Sequence, residues 1–269
     1  MKKHGSSKLI IIVICLYLAL PLLLTFLYSV FTEWNKLLPG GLTLKYYKAI
    51  FSDGNFLYSI VRTLIISAIP FVSCTIIVLL ALYVIIVYHP GWDKYVQMLC
   101  NIPYAIQGII LAISVLSLYV SAPEPFSNRF VMLVLTYCIV ILPYIYRGLK
   151  NSLDTVGANR LIEAAQMLGA NKFYAFFAVV VPNIISGISI VAMLSISIVF
   201  GDFAIVNIIG GSYYQTAQMY LYKKLFVSGQ ASSAIIVVIF GLTLIVSGII
   251  NMLIKKSKQN RKETGNGVY

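Results

Sequence analysis

Apolar positions in this chain gather into six long runs, at about residues 9 to 31, 61 to 87, 95 to 120, 130 to 149, 177 to 201 and 232 to 254. Each supplies the roughly 20 mainly apolar residues that a helix needs to cross a bilayer. The polar stretches between them are too short to hold a soluble domain. The pattern therefore predicts an all-α membrane protein with six transmembrane helices.

The first run follows Lys2, Lys3 and Lys8, as the core of a secretory signal would. A signal core spans only about 7 to 15 residues and ends in a small-residue cleavage site. Leu9 to Phe31 is longer and continues into Thr32-Glu33-Trp34, so it is expected to stay as an anchor helix. Orientation follows from the basic residues, because cytoplasmic loops collect Lys and Arg. With the N-terminus inside, thirteen fall on the cytoplasmic side: Lys2, Lys3, Lys8, Lys94, Arg147, Lys150, Arg160, Lys172, Lys255, Lys256, Lys258, Arg261 and Lys262. Seven fall outside: Lys36, Lys45, Lys48, Arg62, Arg129, Lys223 and Lys224. Both termini and residues 150 to 176 are then cytoplasmic.

Composition agrees with lipid as the solvent. The chain is 60% hydrophobic and 10% charged, against roughly 25% charged residues in soluble domains. Its net charge of +12 is spread around membrane spans rather than gathered on one soluble face, which argues for anionic headgroups as partner and against nucleic acid. The basic tail Lys255 to Lys262 fits a stop-transfer anchor. Cys15, Cys74, Cys100 and Cys138 all lie in predicted spans without zinc-ligand spacing, so free thiols and no metal are expected. His4 and His89 have no acidic or thiol array that would make a triad or a metal site. No phosphate-cradling G-x-x-x-x-G-K-[ST] sequence is present. Catalysis by this polypeptide is not expected, and any nucleotide must bind elsewhere.

Residues 150 to 176 carry the sharpest local pattern, Glu163-Ala164-Ala165-Gln166-Met167-Leu168-Gly169-Ala170, followed by Val179, Val181 and Pro182. A short helix is predicted to begin near Asn159, whose side chain suits an N-cap. Glu163 would lie near its first turn, favourable for a carboxylate at the positive helix end. Ala164 and Ala165 are strong helix formers that let a backbone approach a partner closely, and Gly169 suits the left-handed residue that ends a helix. Asn171-Lys172-Phe173 would start a second helix rising into the fifth run, with Pro182 as its bend.

This segment resembles the E-A-A-x-x-x-G loop of binding-protein-dependent ABC importer permeases, with the motif's tail differing only by valines at 179 and 181. Leu42 to Tyr47 and Leu142-Pro143-Tyr144 are similar to further pieces of that family. The resemblance implies the type I ABC importer permease fold and a multi-pass protein of the plasma membrane. It divides the chain into an N-terminal anchor and first extracellular loop (1 to 56), a transmembrane domain with its coupling loop (57 to 256), and a basic tail (257 to 269). It also implies that Glu163, Ala164, Ala165, Leu168, Gly169, Ala170 and Lys172 dock on an ATPase subunit. The implied partners are a dimer of ATP-binding subunits carrying ATP and magnesium, a second permease copy or paralogue, an extracellular binding protein and the bilayer.

Substrate class is less marked. The Leu168-Gly169-Ala170 wording and the Gly201-Asp202-Phe203 segment are similar to permeases for polyamines and related small ions, with phosphonate, ferric iron or sugar as alternatives and a transporter not driven by ATP as a rival class. An ionisable residue at the edge of a span is a functional-site candidate. Asp202 and Phe203, near Tyr213, Tyr214, Tyr220 and Tyr222, are therefore candidates either for contact with a cationic amine or for a gate or helix end.

Overall fold

A computed structural model describes residues 3–32, 40–106 and 108–265, with side chains described over 10–32, 40–106 and 108–252. Lys2, Lys3, Lys8, Glu33, Trp34, Lys36 and the basic tail Lys255 to Lys262 lie outside the described side chains. The helices are α1 (Lys3–Val30), α2 (Lys45–Ser52), α3 (Gly54–Val87), α4 (Asp93–Asn101), α5 (Gly108–Tyr119), α6 (Arg129–Val156), α7 (Ala158–Met167), α8 (Lys172–Tyr174), α9 (Val181–Asn183), α10 (Ile185–Gly201), α11 (Ala217–Leu225) and α12 (Gly229–Gly265). One isolated antiparallel bridge joins Phe31 and Leu42.

Among the described residues four helices are long and apolar enough to cross a membrane, over residues 10–30, 54–87, 129–156 and 229–252; two bent pairs bring the number to six if each is one span. The first bend corrects the third run, which the apolar pattern reads as continuous; the second falls in the fifth run, where a bend is expected at Pro182. The third breaks by 95° between Pro90–Ala105 and Gly108–Tyr119. Pro103 sits in a short 3-10 turn whose end, Ile106, is extended at φ −104° and ψ 118°. Gly108 favours no helix across that junction. At 12 residues, α5 is about 18 Å long, short of the roughly 30 Å bilayer core. The fifth breaks by 66° between Lys172–Asn183 and Ile185–Gly201. Hydropathy records burial in lipid or protein, not helix continuity.

The chain forms two compact units, residues 1–60 with 219–242 and residues 61–218 with 243–269. In the first, α1 is apolar all round and its most apolar stretch buries no residue against protein, as expected of a helix solvated by lipid. Its end is tied down by polar contacts: the Ser29 and Tyr47 hydroxyls are 2.6 Å apart, and Tyr46 Oη donates to the Thr32 carbonyl at 2.9 Å. Asp53 closes α2 and opens α3, its Oδ1 accepting from Asn55 N–H at 2.9 Å.

The second unit is organised by α6. Leu133, Tyr137, Ile141, Ile145, Leu149 and Leu153 recur every fourth residue and are all fully buried. An i, i+4 ridge of this kind fills the groove of a neighbouring helix, and the heaviest packing of α6 is on α10. Two glycines let the helices meet: a Cβ on Gly148 would strike the Val191 side chain, and one on Gly187 would strike Ser152. Small residues at such a crossing allow the close backbone approach that membrane helices rely on.

Candidate functional site

The segment after α6 turns twice on glycine. Gly157, at φ 65° and ψ 53°, ends α6 and begins α7, its N–H donating to the Asp154 carbonyl and its carbonyl accepting from Leu161 N–H at 3.2 Å. Helix α7 thus begins at Ala158, not with Asn159 as cap. A left-handed glycine makes both the stop and the start, and the exposed Asn159 lies inside the helix. For the same reason Glu163 falls beyond the first turn, exposed on the outer face.

The far end of α7 follows the capping argument closely. Gly169 has φ 86°. Its N–H donates to the Gln166 carbonyl at 2.9 Å and Ala170 N–H donates to the Ala165 carbonyl at 3.0 Å, the paired bonds of a Schellman motif. The Asn171 side chain then accepts from Tyr174 N–H at 2.7 Å and caps α8. The loop is a helix, a left-handed glycine and a capped helix within sixteen residues, 157 to 172.

Ala158, Ile162 and Ala165 are buried, on the face of α7 that packs on the π-helical turn Ala175–Val180. Ala165 therefore faces its own chain, leaving Ala164 as the exposed alanine of the pair. Met167 and Leu168 project at the tip, 88% and 90% exposed. Lys172 lies with its ammonium 5.0 Å from the Tyr88 ring centre. Around the π turn an aromatic cluster centres on Tyr83, whose ring is 5.7, 5.3 and 5.8 Å from those of Phe173, Phe176 and Phe177. No local spacing announces this cluster, because Tyr83 lies in an uninterrupted apolar run.

Pro182 stands two residues before the break at Ile184, where φ is −96° and ψ 9°. A proline removes one helix donor, and the Asn183 amide donates to the Val179 carbonyl at 2.8 Å there. The bend falls two residues later than the proline itself. Beside the loop, the inner part of α6 is held by Asp93, which accepts from Tyr146 Oη at 2.8 Å and pairs with Lys150 at 3.3 Å. Lys150 also reaches Asp154 at 3.5 Å. Lys150, Asp154, Asn159 and Arg160 line a groove of about 500 Å³ next to the start of α7.

The second candidate, Asp202, ends α10 in an extended conformation. Its Oδ2 accepts from Tyr137 Oη at 2.9 Å and from Ile205 N–H at 3.0 Å. The carboxylate thus caps the turn that follows, which runs into the π-helical segment Val206–Gly210. Phe203 supplies its carbonyl to Asn207 N–H at 2.9 Å in that turn.

The tyrosine hydroxyl that the structure brings to Asp202 is that of Tyr137, while Tyr213 and Tyr214 lie against arginines. Tyr213 lies under Arg129, 5.6 Å from its guanidinium carbon. Tyr214 lies under Arg62 at 5.7 Å and donates to the Arg62 carbonyl at 3.0 Å. In the first unit Tyr220 donates to Asp53 at 2.7 Å, with Lys224 4.0 Å from the same carboxylate. That hydrogen bond holds the Asp53 carboxyl below its usual value of 3.8.

Known proteins place this architecture. Residues 38–259 match the family described as binding-protein-dependent transport system inner membrane component. A 92-residue stretch, 34% of this chain, is 32% identical to the spermidine/putrescine transport system permease protein PotB of Haemophilus influenzae, and spans 32% of that relative. The fold matches a bacterial ABC transporter that imports the acidic polysaccharide alginate, with TM-score 0.67 and 16% identity over 93% of this chain and 94% of that one. It also matches the inward-facing MetNI methionine ABC transporter, with TM-score 0.60 and 14% identity over 80% of this chain and 99% of that one. With its family matched over most of its length and its fold that of type I importers, the chain belongs to the inner-membrane components of binding-protein-dependent transport systems: it is a multi-pass permease subunit of an ABC importer.

Proposed function

We propose that α7 and its glycine ends are the coupling element of this permease, seated on an ATP-binding subunit, and that the chain conducts a small charged solute of the polyamine kind. The observation that carries the first part is the tip of α7. Met167 and Leu168 are large, apolar and almost wholly exposed, on a helix whose opposite face is packed against its own chain. Exposed apolar residues gathered on a rigid element mark a protein contact. Glu163, Ala164, Leu168 and Gly169 form the outward edge, Ala165 braces it from within, Ala170 closes it, and Lys172 stands exposed over the Tyr88 ring. ATP and magnesium belong to the partner ATPase dimer, and this chain is non-catalytic. A second permease copy or paralogue completes the path, and the termini and α7 lie in the cytoplasm.

Gly169→Pro tests the coupling role, because proline forbids the positive φ and removes the N–H given to Gln166. Uptake into proteoliposomes containing the full importer should vanish while the variant still inserts in the membrane. Normal uptake would refute coupling through this loop. Orientation is read by cysteine labelling: Asn159→Cys should react only from the cytoplasmic side and Ser121→Cys only from outside.

The polyamine part is supported by the PotB likeness over a third of the chain and by the Leu168-Gly169-Ala170 and Asp202-Phe203 wording. Spermidine and putrescine uptake, competed by methionine or sugars as controls, tests it directly. For Asp202, capping of its own turn favours a gate or structural role over contact with the solute. Asp202→Asn should then raise ATP hydrolysis in the absence of solute, with solute selectivity unchanged.

A further inference from the structure

Arg62, Arg129, Tyr213 and Tyr214 form a preorganised cationic cluster, separate from the Asp202 carboxylate beside which the sequence places Tyr213 and Tyr214 as candidates. The arginines are brought together from α3 and the first residue of α6, and the tyrosines are adjacent in the loop after Gly211. Each guanidinium lies over one ring, at 5.7 and 5.6 Å, and Phe130 packs on Tyr214 with ring centres 5.5 Å apart. Two hydrogen bonds fix the frame: Arg129 Nη1 donates to the Ile209 carbonyl at 3.2 Å, and Tyr214 Oη donates to the Arg62 carbonyl. Among the described residues neither arginine has a carboxylate within ion-pair distance; the pairs that form use Lys150 and Lys224. Arg62 is exposed and Tyr213 is 76% exposed.

We propose that this cluster is the docking point for a carboxylate-bearing loop of the extracellular binding protein. The inference rests on the proposed orientation, which puts both arginines on the outer side. Three features favour a protein partner over the solute. The cluster is open to the outside through Arg62 and the loop residue Tyr213, both exposed. Arg and Tyr are the residue types that dominate the energetic centres of protein interfaces, and their conformations are already restricted, so binding costs little further side-chain entropy. Finally, Lys and Arg are normally kept to the cytoplasmic side of a permease. Two uncompensated arginines on the other side therefore ask for an acidic partner.

The test uses the complete importer in nanodiscs, with the cognate binding protein titrated and stimulated ATP hydrolysis recorded. Wild type should show a half-saturating binding-protein concentration that rises with salt. Arg62→Ala/Arg129→Ala should raise it at least about tenfold and flatten its salt dependence, as loss of charged interface anchors does. Arg62→Lys/Arg129→Lys keeps the charge but loses the planar stacking, and should fall between the two. Gel filtration of each variant with its ATPase confirms assembly. If the double alanine variant does not assemble, Tyr213→Ala, at an exposed loop position, replaces it and should raise half-saturation in the same direction. An unchanged half-saturation overturns the proposal. So does a half-saturation that follows the anionic lipid content of the disc, which would assign the cluster to headgroups. A lowered maximal uptake at unchanged half-saturation also overturns it and assigns the anion to the solute. If the binding protein fails to stimulate even wild type, the wider importer reading fails instead.

Discussion

Two turns of the second unit, residues 157–172 after α6 and residues 202–214 after α10, both redirect the chain at the end of a long buried helix, yet they are held by different means. The first is closed by backbone chemistry within a few residues: left-handed glycines at 157 and 169 and the Asn171 cap. The second depends on a side chain far away in sequence, with Tyr137 reaching Asp202 across 65 residues. A turn made locally keeps its shape when its surroundings shift, whereas one made by a distant partner reports any displacement of the helix that supplies it. The first suits a docking element, the second a gate.

The most disruptive way to break this contrast is at the crossing that supports both turns. Gly148→Leu or Gly187→Leu would force α6 and α10 apart, since even a Cβ collides with Val191 or Ser152. Overpacking of this kind costs about 1 to 3 kcal/mol, and sometimes more. Both variants should show low yields, reduced melting temperature in detergent and no uptake. A well-folded, active Gly187→Leu protein would show that the two turns do not share this support.

Next in size is Tyr137→Phe, which removes the distant support and leaves the half-buried Asp202 carboxylate with one donor fewer. The expected loss is about 1 to 3 kcal/mol, read as a lowered melting temperature with rising basal ATP hydrolysis. A loss of stability without change in hydrolysis would leave Asp202 structural only. Asn171→Ala removes a local support and should cost about 1 kcal/mol, with uptake lowered in proportion to folded protein. If it uncoupled hydrolysis from uptake at full stability, the local turn would be as sensitive as the distant one.

The smallest effect is expected at Asp53. Its folded-state pKa is depressed, first through the Tyr220 hydrogen bond, so its stabilisation is present above the unfolded value and fades as pH falls through the folded one. The melting-temperature gap between wild type and Tyr220→Phe should be steady near neutrality and close below about pH 3.8. A gap that persists into stronger acid would assign the Tyr220 contribution to packing on Phe56.

Legibility from sequence follows the same division. Gly169 and Asn171 were readable because capping is decided within one helical turn. The start of α7 is less legible than its end, because Gly157, two residues before Asn159, serves as the cap position with no side chain to advertise it. The break in the third run is hidden by hydropathy, although Pro103 and Gly108 mark its place, whereas Pro182 announces the bend in the fifth. The tyrosines were the least legible. Three aspartates, at 53, 93 and 202, accept a hydrogen bond from Tyr220, Tyr146 and Tyr137, and none of these partners is near in sequence. A phenol can satisfy a carboxylate while adding no charge, which suits groups close to lipid. The tyrosine-rich composition, 19 residues, thus has a part in the polar structure that counting could not disclose.

The 66° break at Ile184 carries one more consequence. Two helical arms meeting at such an angle have the shape of a bell crank. The short arm, Lys172–Asn183, is about 18 Å long and the longer, Ile185–Gly201, about 26 Å. With the corner as pivot, a push on the arm next to α7 becomes a sideways sweep at the Asp202 end, enlarged about 1.4-fold by the ratio of arm lengths. A straight helix would pass on the same push along its axis, with no leverage at all.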